Sequence, residues 1–255
     1  MKTPLIQVKG LSSGYDGVAL MENMDFTVDT GEIFVILGGS GCGKSTVLKH
    51  MIGLVPPVKG QILIRGTDIG AAHGETRRTL RRSFGVAFQN GALFGSMSVL
   101  ENVRLPLDEY TDLPREAADQ AAMSQLNRVG LAGHAHVRPD QLSGGQKKRA
   151  AIARAMALDP EILFLDEPSA GLDPLTSAEL DQLILNLSRN LGITFVIVTH
   201  ELESIFTIAD NGILLENQAR GIIARGNPKT MAAESSHPYV QDFFHRNPQS
   251  QGNLP

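Results

Sequence analysis

The segment GGSGCGKST at residues 38–46 constrains the fold of this chain more than any other part of the sequence. It follows an apolar run, EIFVIL at 32–37, and leads into a predicted helix at 45–53 that ends near Gly53. The segment fits the pattern G-x-x-x-x-G-K-[ST], whose main-chain amides surround phosphates and whose lysine reaches the β- and γ-phosphates. The sequence therefore predicts a strand, a helix and between them a loop that binds a nucleoside triphosphate through Gly38, Gly39, Ser40, Gly41, Cys42, Gly43, Lys44, Ser45 and Thr46.

The pentapeptide LSGGQ at 142–146 indicates a second phosphate-binding helix end. Ser143 and Gln146 have the spacing of a capping box, and an apolar run follows at 150–158. A helix N-terminus offers free amides and about half a positive charge, which favours an anion. We expect Ser143, Gly145 and Gln146 to contact phosphate, and the alternative is an ordinary capped helix.

Composition restricts the classes of partner and site. The formal net charge is −4, which does not favour a nucleic-acid binder. Two basic clusters, at 77–82 and 147–149, lie in predicted helices and are expected to be solvated helix faces. The single cysteine excludes an internal disulfide, and no apolar run approaches the ~18 residues of a membrane span. We expect a soluble, cytosolic chain whose role at a membrane would come from a partner.

The order of strands and helices predicts an α/β protein. LIQVKG at 5–10 and MENMDFTV at 21–28 suggest an N-terminal antiparallel β layer. Further strands are expected at 61–66 and 84–89, a mostly helical segment at about 90–158, and strands again from 162. The expected domain is residues 1–245, and the polar tail at 246–255 is expected to be disordered.

Polar side chains follow several predicted strands, at the sheet edge where α/β folds bind ligands. Asp166 and Glu167 follow an apolar strand, and we expect Asp166 to hold Mg²⁺ with Ser45 and Glu167 to polarise the attacking water. Gln89 and His200 end two other strands, Gln89 as a candidate Mg²⁺ or water ligand. Tyr15, flanked by loop residues, suits either adenine stacking or core packing.

These residues together resemble the ATP-binding cassette (ABC) ATPase family, over residues 5 to about 230. The matching motifs are the aromatic loop at Tyr15, the phosphate loop at 38–46, the Q-loop at Gln89, LSGGQ at 142–146, LDEP at 165–168, AGLD at 170–173 and the switch histidine His200. The resemblance implies a P-loop NTPase (RecA-like) core with an N-terminal antiparallel β layer and an inserted α-helical subdomain. One departure is Gly39, where many members of the family carry proline.

The family also implies an assembly. Two copies meet head to tail around two ATP molecules and Mg²⁺, so that LSGGQ of one copy faces the phosphate loop of the other, and Asp173 links the two sites. The implied site residues that face Ser143, Gly145 and Gln146 of the other copy are Lys44, Ser45, Thr46, Gln89, Asp166, Glu167 and His200. An integral membrane permease is the implied partner, which places the chain at the cytoplasmic face of the inner membrane and excludes nucleic acid as a partner.

The segment FQNGALFGSMSVLENVRLPL at 88–107 bears on the transported substrate. Together with HPYVQDFF at 237–244, it is similar to the cassettes of MCE-type lipid transport systems. An importer of amino acids or metal ions, or a lipoprotein-release system, remains an alternative, and a soluble ATPase acting on nucleic acid or ribosomes a distant one. Leu93 and Phe94 would either contact a helix of the permease or pack in the core. Cys42, inside the phosphate loop, would be either a reactive thiol or a small residue that fills space.

Overall fold

The computed structural model describes residues 4–245, so the predicted disorder of 246–255 concerns residues outside the described part. The elements, in chain order, are β1 (Ile6–Tyr15), β2 (Val18–Val28), β3 (Ile33–Gly38), α1 (Lys44–Met51), β4 (Lys59–Ile64), β5 (Thr67–Asp68), α2 (Gly74–Arg82), β6 (Phe84–Ala87), α3 (Val99–Tyr110), α4 (Arg115–Arg128), α5 (Gly144–Ala155), β7 (Ile162–Asp166), α6 (Pro174–Leu191), β8 (Thr194–Val198), α7 (Leu202–Ile208), β9 (Asn211–Glu216), β10 (Gly221–Gly226), α8 (Pro228–Glu234) and α9 (Pro238–His245).

The chain divides into two compact units, of which the first comprises residues up to Ala72 and from Ile197 onwards. Its antiparallel sheet has the strand order β2-β1-β4-β5. In this unit β3 also runs parallel to β9, which pairs antiparallel with β10. Every residue of β3 is buried, as expected for a parallel strand covered on both faces. This apolar strand delivers the chain directly into the 38–46 loop.

The second unit, His73–Val196, contains the helical segment and the parallel strands β6 and β7. Helices α3, α4 and α5 contact one another, and α3 begins with a capping box formed by Ser98 and Glu101. Strand β7 is buried throughout, and its Phe164 packs edge-on against Phe84 with ring centroids 5.5 Å apart. Among residues 4–245, no helix is long and apolar enough to cross a membrane.

The structure confirms the α/β class and the antiparallel N-terminal layer, and it moves several element ends. Strand β1 continues to Tyr15, so residues 12–14, expected in a loop, are strand. A hairpin turn follows, with Asp16 and Gly17 at φ of 50° and 79°. Strand β6 ends at Ala87, two residues before Gln89. The domain extent of 1–245 and the helical subdomain at about 90–158 stay predictions.

Candidate functional site

The 38–46 loop has the geometry expected for a phosphate site, and it lies in the first unit with Tyr15 and His200. Lys44 is buried, and its Nζ donates to the carbonyl oxygens of Gly38 and Gly39, each at 2.9 Å. Within the described chain, no side chain caps the start of α1 and no acidic residue lies in its first turn. An uncapped helix start beside a buried ammonium group suits the phosphates of a nucleotide.

Tyr15, the candidate adenine-stacking residue, is the last residue of β1, and its side chain contacts helix α1. Tyr15 is 40% exposed, so its ring is not core, and its hydroxyl lies 3.4 Å from both Thr46 Oγ1 and Lys49 Nζ. No motif in the sequence singles out His50, whose side chain is fully buried beneath this strand end. His50 Nε2 accepts from the Gly14 amide at 3.1 Å, and Nδ1 lies 2.9 Å from Val55 O. This neutral imidazole therefore ties the residue before Tyr15 to α1.

His200 lies two residues after the end of β8 and is exposed. The preceding residue, Thr199, donates its amide to Ile36 of β3 at 3.4 Å, and its hydroxyl oxygen accepts from the Glu201 amide at 3.1 Å. His200 Nε2 is 3.8 Å from a carboxylate oxygen of Glu201. The backbone before His200 is thus bonded to the strand that leads into the 38–46 loop.

In the second unit, LSGGQ forms the predicted capping box at the start of α5. The Gln146 amide donates to Ser143 Oγ at 3.2 Å, and the Ser143 amide donates to Gln146 Oε1 at 2.9 Å. Gln146 Nε2 also lies 3.1 Å from Nε2 of His134, a residue that no motif in the sequence indicates. The local spacing therefore predicted this helix start correctly.

Gly145 and Asp173 both contact Thr176, a residue that no sequence motif singles out. A Cβ atom on Gly145 would lie 2.4 Å from Thr176 Cγ2, so a side chain at this position would force Thr176 or its helix to shift. Asp173 caps α6, accepting from the Thr176 amide at 3.1 Å and from its hydroxyl at 2.6 Å. These hydrogen bonds are the main reason that the pKa of Asp173 lies below its ordinary value.

Asp166 is the last residue of the buried strand β7 and Glu167 follows it, and both residues are buried, with 9% and 8% exposure. Glu167 has a φ of 48°, an unfavourable backbone conformation for a non-glycine residue. Such strain persists only where the surrounding structure imposes it, and it takes the backbone at Glu167 out of the extended conformation of β7. The pair thus places two buried carboxylates at the end of β7, and carboxylate oxygens suit a hard cation such as Mg²⁺.

Two cations of α5 hold the Q-loop residues. Lys148 Nζ donates to Gln89 O at 2.5 Å and to Glu167 O at 2.9 Å. The guanidinium of Arg154 donates to Gly91 O and Ala92 O at 2.8 and 2.7 Å. Burial lowers the pKa of both groups. The expectation of a solvated helix face is therefore wrong for Lys148, because its long side chain turns inward to main-chain acceptors.

The segment after the Q-loop presents an apolar residue to solvent. Phe94 is 50% exposed, whereas Leu93 is half-buried, so core packing does not account for Phe94. Asn102 is fully buried and accepts from the Phe94 amide at 2.7 Å. Its Nδ2 donates to Phe94 O at 3.1 Å and to Ser98 O at 2.9 Å. One amide side chain therefore holds the loop that displays Phe94.

Cys42 is 2% exposed within the 38–46 loop. A thiol needs access to solvent as well as a lowered pKa to react with an electrophile. This burial favours the small-filler interpretation of Cys42 over a reactive thiol.

Comparison with known proteins identifies the family. The family model described as ABC transporter matches residues 21–170. The chain is 40% identical to the probable ribonucleotide transport ATP-binding protein mkl of Mycobacterium leprae over 94% of its own length and 68% of that protein. The Mycobacterium tuberculosis counterpart is 39% identical and 66% covered, so the chain spans about two thirds of these mycobacterial relatives.

A second relative is covered more completely. The chain is 38% identical to the intermembrane phospholipid transport system ATP-binding protein MlaF of Escherichia coli, over 94% of the chain and 88% of MlaF. The fold of this chain matches a dimeric post-hydrolysis state of the ATP-binding cassette MJ0796 bound to ADP and Pi, with a TM-score of 0.77 and 29% identity. That match covers 87% of this chain and 98% of the other. The chain belongs to the ABC transporter family and is one of its ATP-hydrolysing cassettes.

Proposed function

We propose that this chain is the ATPase subunit of a phospholipid transporter, working with an integral membrane permease and an MCE-domain protein. The observation that carries the cargo assignment is the match to MlaF, which extends over 94% of the chain and 88% of that relative. The sequence features at 88–107 and 237–244 support the same subfamily. The chain would act at the cytoplasmic face of the inner membrane, attached through the permease.

The nucleotide would be MgATP, and the residues present fit it. The loop residues 38–46 would bind the phosphates, Lys44 through its ammonium group, while Tyr15 would stack on adenine. Oxygen ligands suit Mg²⁺, and Ser45, Gln89 and Asp166 would hold it. Bound Mg²⁺ neutralises phosphate charge during phosphoryl transfer.

The chain's own groups would then activate water. Glu167 would accept a proton from the attacking water as general base, and His200 would orient the groups around the γ-phosphate. The positive φ of Glu167 supports this role, since strained backbone conformations of this kind cluster at functional sites. A buried carboxylate held by a strained backbone is preorganised before substrate arrives.

A second copy of the chain would complete the site. Ser143, Gly145 and Gln146 of that copy would contact the γ-phosphate in a head-to-tail dimer, and Asp173 would act across the interface. The dimeric state of the related cassette bound to ADP and Pi supports this arrangement. Closure would depend on nucleotide, because bound ATP gives the closed dimer contacts that the open state lacks.

The cargo assignment has one competitor with a specific observation behind it, the ribonucleotide named for the mycobacterial relative. A transport experiment separates the two. The chain, its permease and its MCE partner would be reconstituted in vesicles that contain fluorescent phospholipid, with radiolabelled ribonucleotide as the second substrate.

We expect ATP-dependent movement of phospholipid, abolished when the chain carries Glu167→Gln, and no movement of ribonucleotide. ATP-dependent movement of a ribonucleotide, amino acid, metal ion or lipoprotein without phospholipid would overturn the lipid assignment and leave the ATPase assignment intact. Purification with RNA or ribosomes instead of a membrane protein would overturn the transport role.

A further inference from the structure

Tyr239, the second residue of α9, lies against the phosphate loop of its own chain. A Cβ atom built on Gly39 would lie 2.9 Å from the Tyr239 hydroxyl oxygen, closer than real Cβ contacts allow. The main chain of Gly39 donates a hydrogen bond to this hydroxyl. Burial raises the pKa of Tyr239 above its ordinary value, so the group stays a neutral hydroxyl at physiological pH. Residue 39 therefore contacts Tyr239 through its amide and has no room for a side chain.

The peptide unit that Tyr239 contacts is the one that Lys44 contacts from its other side. The Gly39 amide belongs to the same planar peptide as the Gly38 carbonyl. Lys44 Nζ donates to that carbonyl oxygen at 2.9 Å, and to Gly39 O at the same distance. Because the peptide is rigid, a rotation that breaks the contact with Tyr239 also moves an acceptor of the Lys44 ammonium group. The position of Lys44 and that of Tyr239 are therefore mechanically linked.

Helix α9 is anchored well enough to fix the hydroxyl. Val240 is fully buried and Phe244 is 5% exposed, and the Phe244 ring lies 5.6 Å from that of Phe206 in α7. Gln241 Nε2 donates to Ser235 O at 2.6 Å and to Ala232 O at 3.2 Å, which ties the first turn of α9 to α8 and the residues after it. Tyr239 is thus carried by a packed element and not by a free chain end.

We propose that Tyr239 is a positioning residue for nucleotide binding. Its hydroxyl holds the 38–39 peptide, and through it Lys44, in the orientation that receives phosphates, and residue 39 is glycine because the hydroxyl fills the side-chain space. Proline, common at this position in the family, has no amide hydrogen to donate and carries a ring where the hydroxyl lies. The inference rests on ATP binding by the 38–46 loop and is independent of the transported substrate.

The first test removes only the hydroxyl. Tyr239→Phe keeps the ring, and Tyr110→Phe on α3 is the matched control for loss of a tyrosine hydroxyl elsewhere. We expect the Kd of a fluorescent ATP analogue with Mg²⁺, and the KM for ATP, to rise about three- to tenfold in Tyr239→Phe, the effect of losing one hydrogen bond. The kcat and the melting temperature should match those of the control. Nucleotide binding as tight in Tyr239→Phe as in Tyr110→Phe would overturn the proposal.

The second test uses the close approach of the Tyr239 hydroxyl to Gly39. The backbone at Gly39 is outside the positive-φ region, so alanine can adopt it, and the added methyl meets only the Tyr239 hydroxyl. Gly39→Ala alone should weaken nucleotide binding more than Tyr239→Phe does. In the double variant, binding should return to the level of Tyr239→Phe alone, because the obstructing oxygen is gone.

An equal loss from Gly39→Ala in both backgrounds would mean that glycine is required for another reason, and it would also overturn the proposal. Because the readout is the Kd for nucleotide, a failure of the transport assignment cannot be mistaken for a failure of this one. An unmodified chain that binds no ATP analogue would instead contradict the ATP-binding assignment on which the inference rests.

Discussion

At the scale of single residues, Glu167 combines burial with a strained backbone. It is 8% exposed and has a φ of 48°, so its carboxylate is held in place before any substrate binds. If it is the general base, Glu167→Gln should bind MgATP normally but hydrolyse it at least ~100-fold more slowly. Phosphate release and nucleotide binding measure the two effects, and size-exclusion chromatography should show a trapped dimer. Glu109→Gln on α3 is the control, and near-normal turnover in Glu167→Gln would remove Glu167 from this role.

Variants at the contact between Gly145 and Thr176 can distinguish a packing role of Gly145 from a role in phosphate binding. Gly145→Ala places a methyl group 2.4 Å from Thr176 Cγ2, and such overpacking costs about 1–3 kcal/mol of unfolding free energy. Thr176→Ser removes that methyl and keeps the hydroxyl that donates to Asp173. Urea unfolding should show stability restored in the double variant. ATPase activity should stay low, since the proposed phosphate contact at Gly145 is still altered, and recovery of both would show that Gly145 acts by packing alone.

His50 gives the stability of the chain a pH dependence. Burial is the main cause that lowers its pKa, because the fold accommodates the neutral imidazole that accepts from the Gly14 amide. A depressed folded pKa means that this contribution is complete above the ordinary value of about 6.5 and is lost as pH falls below it. Unfolding free energy measured between pH 7.5 and 5.5 should therefore fall less in His50→Gln than in the unmodified chain. His73→Gln, at an exposed position, should keep the original slope, and an identical slope in His50→Gln would contradict the assignment.

At the scale of elements, the features that depend on residues close together in the sequence were predictable. The capping box of Ser143 and Gln146 and the buried strand before Asp166 were predictable because spacing and an apolar run encode them. Contacts between distant segments were not predictable. The basic cluster at 147–149 suggested that Lys148 is solvated. Nothing in the sequence near Gly145 indicates its proximity to Thr176. Tyr239 lies about 200 residues from Gly39 in the chain, so only the folded structure shows that they touch.

Helix α5 carries LSGGQ at its start, and a cation along its length contacts the Q-loop residues. Lys148 donates to the main-chain oxygens of Gln89 and Glu167, so Lys148→Met should release both acceptors while keeping the apolar stem. We expect faster hydrogen–deuterium exchange in peptides covering 88–92 and a lower kcat. Lys147→Met is the control, since it leaves the hydrogen bonds of Lys148 intact. Equal exchange in the two variants would mean that Lys148 does not hold the Q-loop.

At the scale of the whole molecule, two exposed features are suited to partner molecules. LSGGQ presents an exposed Ser143 at a helix start, and Phe94 is exposed although it is apolar. The dimeric state of a related cassette supports a second copy as the partner of the first feature. The second is an apolar side chain held out by the buried Asn102, an arrangement suited to an apolar partner helix.

A charged residue in place of Phe94 should therefore impair assembly with the permease without impairing folding. Because Phe94 is 50% exposed, Phe94→Asp should leave the melting temperature and ATP binding unchanged, whereas a buried Asp would destabilise the chain by several kcal/mol. Recovery of the permease with the tagged chain from detergent-solubilised membranes should fall at least tenfold, and Phe94→Leu should restore it. Leu113→Asp, which adds the same charge at another exposed apolar residue, should assemble normally. If Phe94→Asp assembles as well as Leu113→Asp, the permease binds elsewhere, and if it is insoluble, Phe94 belongs to the core.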